Sequence, residues 1–373
     1  MSYRLFNGLV AIAISSIFFA VPAQAYGKTI TVTDTLNRKI ELPAKPERIL
    51  LGFYFEDFYA IGGSNAFDKV VAISKSTWHD WRLSQWNTYI KVNPEIAKLI
   101  DVGEVDSGTF SIEKAIASKP DVAILAAWQY NALGDVVTKL EAAGIPVVVA
   151  DYNAQTVEKH VISTLMIGKI LGTEQRAKKL ADEYAAAVED VMRRVMHLGG
   201  DKPRVYVELG NKGADEYGNS YREGMWGGVI GLAGGNNIAV GQAGQWSPLN
   251  PEYVLTSDPE VIFIAGSYWE SRDKAVLMGF GVEPETTQSR LSTFLGRPGW
   301  SNLSAVKSQQ VHALYHGGAR TLYDYAFLQY IGKALYPEAF ADIDPEETHR
   351  RFYETYLPVS AEGVFMTRLK SSP

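Results

Sequence analysis

The sequence predicts an α/β protein of two lobes joined by one long rigid helix. Three observations carry this. "FSIEKAIASKPDVAIL", from Phe110, returns in altered form as "LNPEYVLTSDPEVIFI", from Leu249. β-branched apolar runs alternate with helical patterns around both copies. Between the copies, residues 174–198 hold no Gly or Pro and carry an apolar stripe at helical spacing.

Taken in chain order, the first 25 residues read as a cleavable signal peptide. Arg4 supplies the positive end, and "LVAIAISSIFFAV" is apolar but short for a bilayer span. Ala23–Ala25, "AQA", is a small-residue cleavage site. A mature chain starting at Tyr26 is expected, exported to the periplasm. It has no cysteine to lipidate.

The N-terminal lobe is expected over residues 26–172. "RILLG" at 48–52, "VVAIS" at 70–74, "VAILAA" at 122–127 and "VVVAD" at 147–151 read as buried strands. "LGDVVTKLEAAGIP" reads as a helix that Gly144 and Pro146 terminate. Strand, helix, strand in that order implies a right-handed parallel crossover. The helix follows within residues 173–199. Its stripe is Leu180, Tyr184, Val188, Val191 and Val195, and its length is about 35 Å. The C-terminal lobe, residues 200–373, opens with "RVYVEL" at 204–209. "VIFIAG" at 261–266 and "VHALY" at 311–315 continue it.

Composition narrows the function classes. The 373 residues carry a net charge of −6, which gives no support to nucleic-acid binding. With no cysteine, disulfides, thiolate metal sites and a cysteine nucleophile are excluded. The six histidines are scattered, and no His/Asp/Glu cluster has metal-ligand spacing. There is no G-x-S-x-G elbow, H-E-x-x-H or Gly-Lys-Ser phosphate loop. An exported enzyme using two distant carboxylates stays open as a rival reading.

Several motifs resemble one family. "TVTDTLNRKIELPAKPERIL", "IEKAIASKPDVAIL", "LEAAGIPVVV", "LAGGNNIA" and "PEYVLTSDPEVIF" occur in the expected order across nearly the whole mature chain. Together they resemble substrate-binding proteins of ABC importers for ferric siderophores, cobalamin and haem. The stretch around "VLMGFGVEPETTQSRL" is longer than the family leads one to expect. The resemblance implies a ligand cleft between the lobes, a small-molecule ligand, an inner-membrane permease as partner and a monomeric chain.

It also gives the repeat a meaning. Ser111 and Asn250 are good N-caps, so Glu113 and Glu252 fall in matching first helical turns. A carboxylate there gains from the helix dipole, which by itself explains either glutamate. The resemblance implies that the matched pair docks on permease arginines.

Ligands of open α/β sheets sit beyond the carboxyl ends of the strands. There the sequence places Tyr54, Trp78, Trp81, Trp128, Tyr152, Tyr268 and Trp269, with Arg320 after "HGGA". Arg222, Trp226 and Trp246 in nearby Gly-rich loops are further candidates. Aromatic faces suit a bulky, partly planar ligand, and arginine suits anionic oxygen. The expected ligand is therefore a metal chelate, foremost a ferric siderophore, whose metal arrives inside its chelator with no protein cofactor. Cobalamin needs less of the arginine. Haem would need an axial Tyr54, His79 or Tyr268. Bare molybdate, which wants a small site of N–H donors, ranks lower. A sensor that passes its ligand to a receptor is a third possibility.

Overall fold

The computed structural model describes residues 28–244, 246–269 and 272–370. The signal-peptide reading, residues 1–25, lies outside them. The chain opens with a hairpin, β1 (Thr29–Thr33) and β2 (Lys39–Pro43). Asp34, fully buried, accepts the backbone N–H groups of Leu36 and Arg38 and pairs with the Arg38 guanidinium at 2.7 Å. Asn37 supplies the left-handed turn at φ 61°.

The N-terminal sheet is β3 (Ile49–Leu51), β4 (Val70–Ile73), β5 (Ile100–Asp101), β6 (Val122–Ala126) and β7 (Val147–Ala150). All strands are parallel, in the order β5-β4-β3-β6-β7. The four predicted strands are present; β3, β6 and β7 are buried at every position, as a parallel sheet covered on both faces requires.

The second sheet contains β8 (Arg204–Leu209), β9 (Ser220–Tyr221), β10 (Asn236–Asn237), β11 (Trp246–Ser247) and β12 (Val261–Gly266). The short strand β13 (Gly279–Phe280) stands apart from it, and β14 (Val311–Tyr315) lies on the far side of β12. β8, β12 and β14 are its parallel centre. Close to the end of the described chain, β15 (Gly363–Val364) pairs antiparallel with β13, and β16 (Met366–Arg368) pairs antiparallel with β14. The long stretch noted above thus forms β13 and a helix, Pro284–Ser292, tied back by the last strands.

The repeat is real in space. Helix Ile112–Ala117 leads into β6, and helix Pro251–Ser257 leads into β12. Ser111 Oγ accepts the N–H of Lys114, and Asn250 Oδ1 that of Glu252. Glu113 and Glu252 are exposed on matching first turns.

One helix, Glu174–Met196, runs between the two sheets in the chain. Ala177, Leu180, Ala181, Tyr184, Val188 and Val191 are its buried face. It packs on helix Phe55–Gly62 of the first lobe and on helices Trp226–Leu232 and Asp324–Leu335 of the second. Helix Val157–Leu171 approaches it so closely that a Cβ on Gly168 would lie 2.2 Å from that of Ala177. Within the helix, Arg176 donates to the carbonyls of Ala60 and Tyr356 and so ties it to both lobes. The lobes also meet without it: His160 Nε2 lies 3.1 Å from Asp324. No helix among the described residues is long and apolar enough to cross a membrane.

Candidate functional site

β3 ends at Leu51, and two residues on lies Phe53, only 1% exposed. Its ring sits edge-on to Trp128 at 5.6 Å and to Trp81 at 6.3 Å. Two guanidinium carbons lie over it, Arg82 at 5.1 Å and Arg320 at 4.9 Å. They are therefore no more than about 10 Å apart. Arg82 comes from the first lobe, at the start of helix Leu83–Val92. Arg320 comes from the second, at the end of a short turn, His316–Arg320, that follows β14.

Both arginines are buried, 5% and 7% exposed, and neither pairs with a carboxylate among the described residues. Arg82 Nε and Nη2 and Arg320 Nε have no hydrogen-bond partner there. Burial of unpaired charge is costly. Here burial, then the neighbouring Arg82, pushes the Arg320 guanidinium down to about 9. Burial and the same two cations hold His316 well below its usual range, so its imidazole is neutral, with Nδ1 2.9 Å from the Tyr221 hydroxyl. Tyr315 Oη and Trp128 Nε1, also buried, lack partners among the described residues. The arrangement gathers buried hydrogen-bond donors and positive charge, a chemistry that suits anionic oxygen.

Beside it opens a cavity of about 490 Å³, lined by His79, Trp81, Tyr268, Trp269 and Arg272 among others. Its walls come from both lobes, and Ser267 Oγ donates to the carbonyl of Trp81 across it. A larger cavity, about 1190 Å³, lies elsewhere, on the outer face of the bridging helix.

Of the sequence candidates, Trp81, Trp128, Tyr268, Trp269 and Arg320 come together here. Others do not. Trp78 is fully buried and stacks on Phe55 at 4.5 Å, an N-lobe core residue. Trp226 is fully buried against Phe327. Tyr152 is fully buried, with its hydroxyl 3.0 Å from Thr164 Oγ1. Tyr54 packs edge-on to it and donates to Asn153 Oδ1, which leaves no free face for a ligand. Arg222 is spent on the carbonyls of Gln242 and Ala243, so it shapes a loop instead of meeting a ligand. Trp246 is 46% exposed beside Tyr221, on the flank of the site. The sequence reading missed Arg82, and it placed Phe53 among the aromatics after "RILLG" without making it a candidate. "HDWRLSQW" was legible as an arginine with no acidic residue three or four positions away, a cation left for another partner.

Two α/β lobes, a bridging helix and a polar site at the facing strand ends define a two-lobed solute-binding protein. The chain matches the periplasmic binding protein family over residues 49–315 and belongs to that family. A TroA-like periplasmic binding protein, FepB from Veillonella parvula, is 34% identical in sequence, with a TM-score of 0.86, over 91% of this chain and all of that one. The molybdate-binding protein MolA of Haemophilus influenzae is 22% identical across 96% of this chain and 97% of its own. Its molybdate-bound structure superposes with a TM-score of 0.68. The vitamin B12 binding protein BtuF of Vibrio cholerae is 20% identical over 80% of this chain and 99% of its own, with a TM-score of 0.55. The chain is a periplasmic binding component of an ABC importer, not an enzyme.

Proposed function

We propose that this protein captures an anionic metal chelate, of the ferric siderophore class, between its lobes and hands it to the permease. The carrying observation is the pair of unpaired, buried guanidinium groups at the Phe53 ring, one from each lobe. Chelate oxygens bridge the two arginines, and its rings lie against Trp81, Trp128 and Trp269. A 490 Å³ cavity is within the range of small-molecule sites. The metal travels inside its chelator, with no cofactor of the protein's own. Glu113 and Glu252 dock the loaded monomer on the permease, one from each lobe. The mature chain begins at Tyr26 and is not lipidated.

A second reading, a bare tetrahedral oxyanion, is favoured by the depth of the arginines and by the similarity to a molybdate-binding relative. Cobalamin gives the arginine pair nothing to do. Haem loses Tyr54 as an axial ligand, because that hydroxyl is buried and bonded to Asn153.

Titration of the purified protein with a ferric tris-catecholate, molybdate, cobalamin and haem tests the proposal. The expected result is tightest binding of the ferric chelate, with quenching of tryptophan fluorescence. Tighter binding of any other member of the panel overturns the siderophore reading.

A further inference from the structure

Behind the Phe53 ring, a second buried centre gathers the same chain segments. The Glu56 carboxylate, 2% exposed, accepts four donors. Gln85 Nε2 and the Tyr323 hydroxyl reach Oε2, each at 2.6 Å. The Tyr89 and Tyr353 hydroxyls reach Oε1, each at 2.8 Å. Four donors fill the lone-pair positions of a carboxylate. Next to it, Asp57 Oδ1 accepts the Leu322 N–H at 2.6 Å.

The spacing ties this centre to the ligand site. Glu56 lies three residues after Phe53, Gln85 three after Arg82, and Tyr323 three after Arg320. Each residue that meets at the ring is thus the end of a short link whose other end is anchored on Glu56. Helix Phe55–Gly62 stiffens the first link and helix Leu83–Val92 the second. The third is held by the Tyr323 hydroxyl and the Leu322 N–H, and it belongs to the other lobe.

We propose that Glu56 is a positioning residue for the anion site: from one buried point it sets where Arg82 and Arg320 stand relative to the Phe53 ring. This rests on the anion-site reading above. Two arginines from different lobes bind one anion well only when their separation is fixed, and a supporting hydrogen-bonded shell provides that fixing. A carboxylate that only welded the lobes together would have no reason to touch all three links.

The test uses Tyr323→Phe, which removes one donor from the Arg320 link and keeps ring volume and charge. Binding of sodium molybdate and of a ferric tris-catecholate is measured in the wild type, Y323F, R320A and the double variant, with thermal melting of each. Y323F is expected to weaken binding about tenfold, the scale of one buried hydrogen bond. In the R320A background it is expected to change the dissociation constant less than about twofold, since the group it positions is gone. Unchanged affinity in Y323F, or the same loss in both backgrounds, makes Glu56 purely structural and overturns the proposal. If Y323F does not fold, Tyr89→Phe tested against Arg82→Ala applies the same logic to the Arg82 link. Binding of neither probe, or full affinity in R320A, overturns the anion-site reading itself and the proposal with it.

Discussion

Arg320→Met separates stability from binding, because this arginine is predicted to harm the first and to make the second. Its folded-state pKa, about 9, lies below the usual arginine value, so the native state holds the charge at a cost of roughly 5 kcal/mol. For a base depressed in this way the penalty is fully present below pH 9. It fades as pH rises from there toward the unfolded value, because the native group releases its proton first. Methionine keeps an unbranched apolar stem and removes the charge. Lost contacts of the guanidinium with the Phe53 ring offset some of the gain. A net stabilisation of about 1–3 kcal/mol remains, or several degrees in Tm. Binding moves the other way. Removing one partner of a desolvated charge pair costs about 2–5 kcal/mol, so the dissociation constant should rise at least about 30-fold. Arg320→Lys should recover only part of this, since an ammonium has no planar fork. The assay is calorimetric melting without ligand at pH 7 and pH 10, beside titration with a ferric tris-catecholate and molybdate. A fall in Tm at pH 7 with unchanged affinity would falsify the reasoning.

Other expectations follow from particular contacts. Glu113→Ala combined with Glu252→Ala should keep ligand affinity and abolish uptake, because both glutamates are exposed away from the Arg82–Arg320 pair; normal transport by this variant refutes the docking role. Burial pushes Glu104 up to about 7 against the pull of the Val105 and Asp106 N–H groups. A raised carboxyl pKa gives stability that is present below about pH 4.5 and lost as pH climbs to 7. Urea melts of Glu104→Gln should therefore show a gain of about 1–3 kcal/mol at pH 8 and little at pH 4, and equal effects at both would refute the shift. A Cβ at Gly227 would lie 1.8 Å from the Arg222 carbonyl oxygen, so Gly227→Ala should lower stability by roughly 2–4 kcal/mol in the same melts. Small-angle scattering should show little change in radius of gyration on ligand binding, because buried contacts behind the cleft join the lobes beside the helix; a large contraction speaks against this.

Much of the frame was legible because it follows from local pattern. "RVYVEL" and "VIFIAG" are short runs, rich in β-branched residues, of the kind a doubly covered strand uses, and β8 and β12 occupy them residue for residue. The long helix stops two residues short of its predicted end, near Gly199 and Gly200. The short antiparallel strands β9, β11 and β16 were not legible: two or three residues carry no period, and their pairing is set by tertiary contact. The site was half legible. Position at a strand end separates neither Trp78 from Trp81 nor Tyr152 from Trp128, since a ring beyond a strand turns toward the core or toward the gap with the same sequence signature. Arg222 and Arg320 look alike in sequence. Only the three-dimensional supply of carbonyls decides that one is satisfied by its own loop and the other is not.

The bond from the Leu322 N–H to Asp57 spans 265 positions of the chain. The N-terminal sheet is complete once residue 150 is available, but the two segments that place the arginines are joined only when the residues beyond 320 fold back onto the first lobe. A contact this distant in sequence closes slowly. Capacity to hold ligand is therefore among the last properties the folding chain acquires. A chain that stops before residue 320 holds the strands of the first sheet but lacks both Arg320 and the Leu322 and Tyr323 donors that complete Asp57 and Glu56.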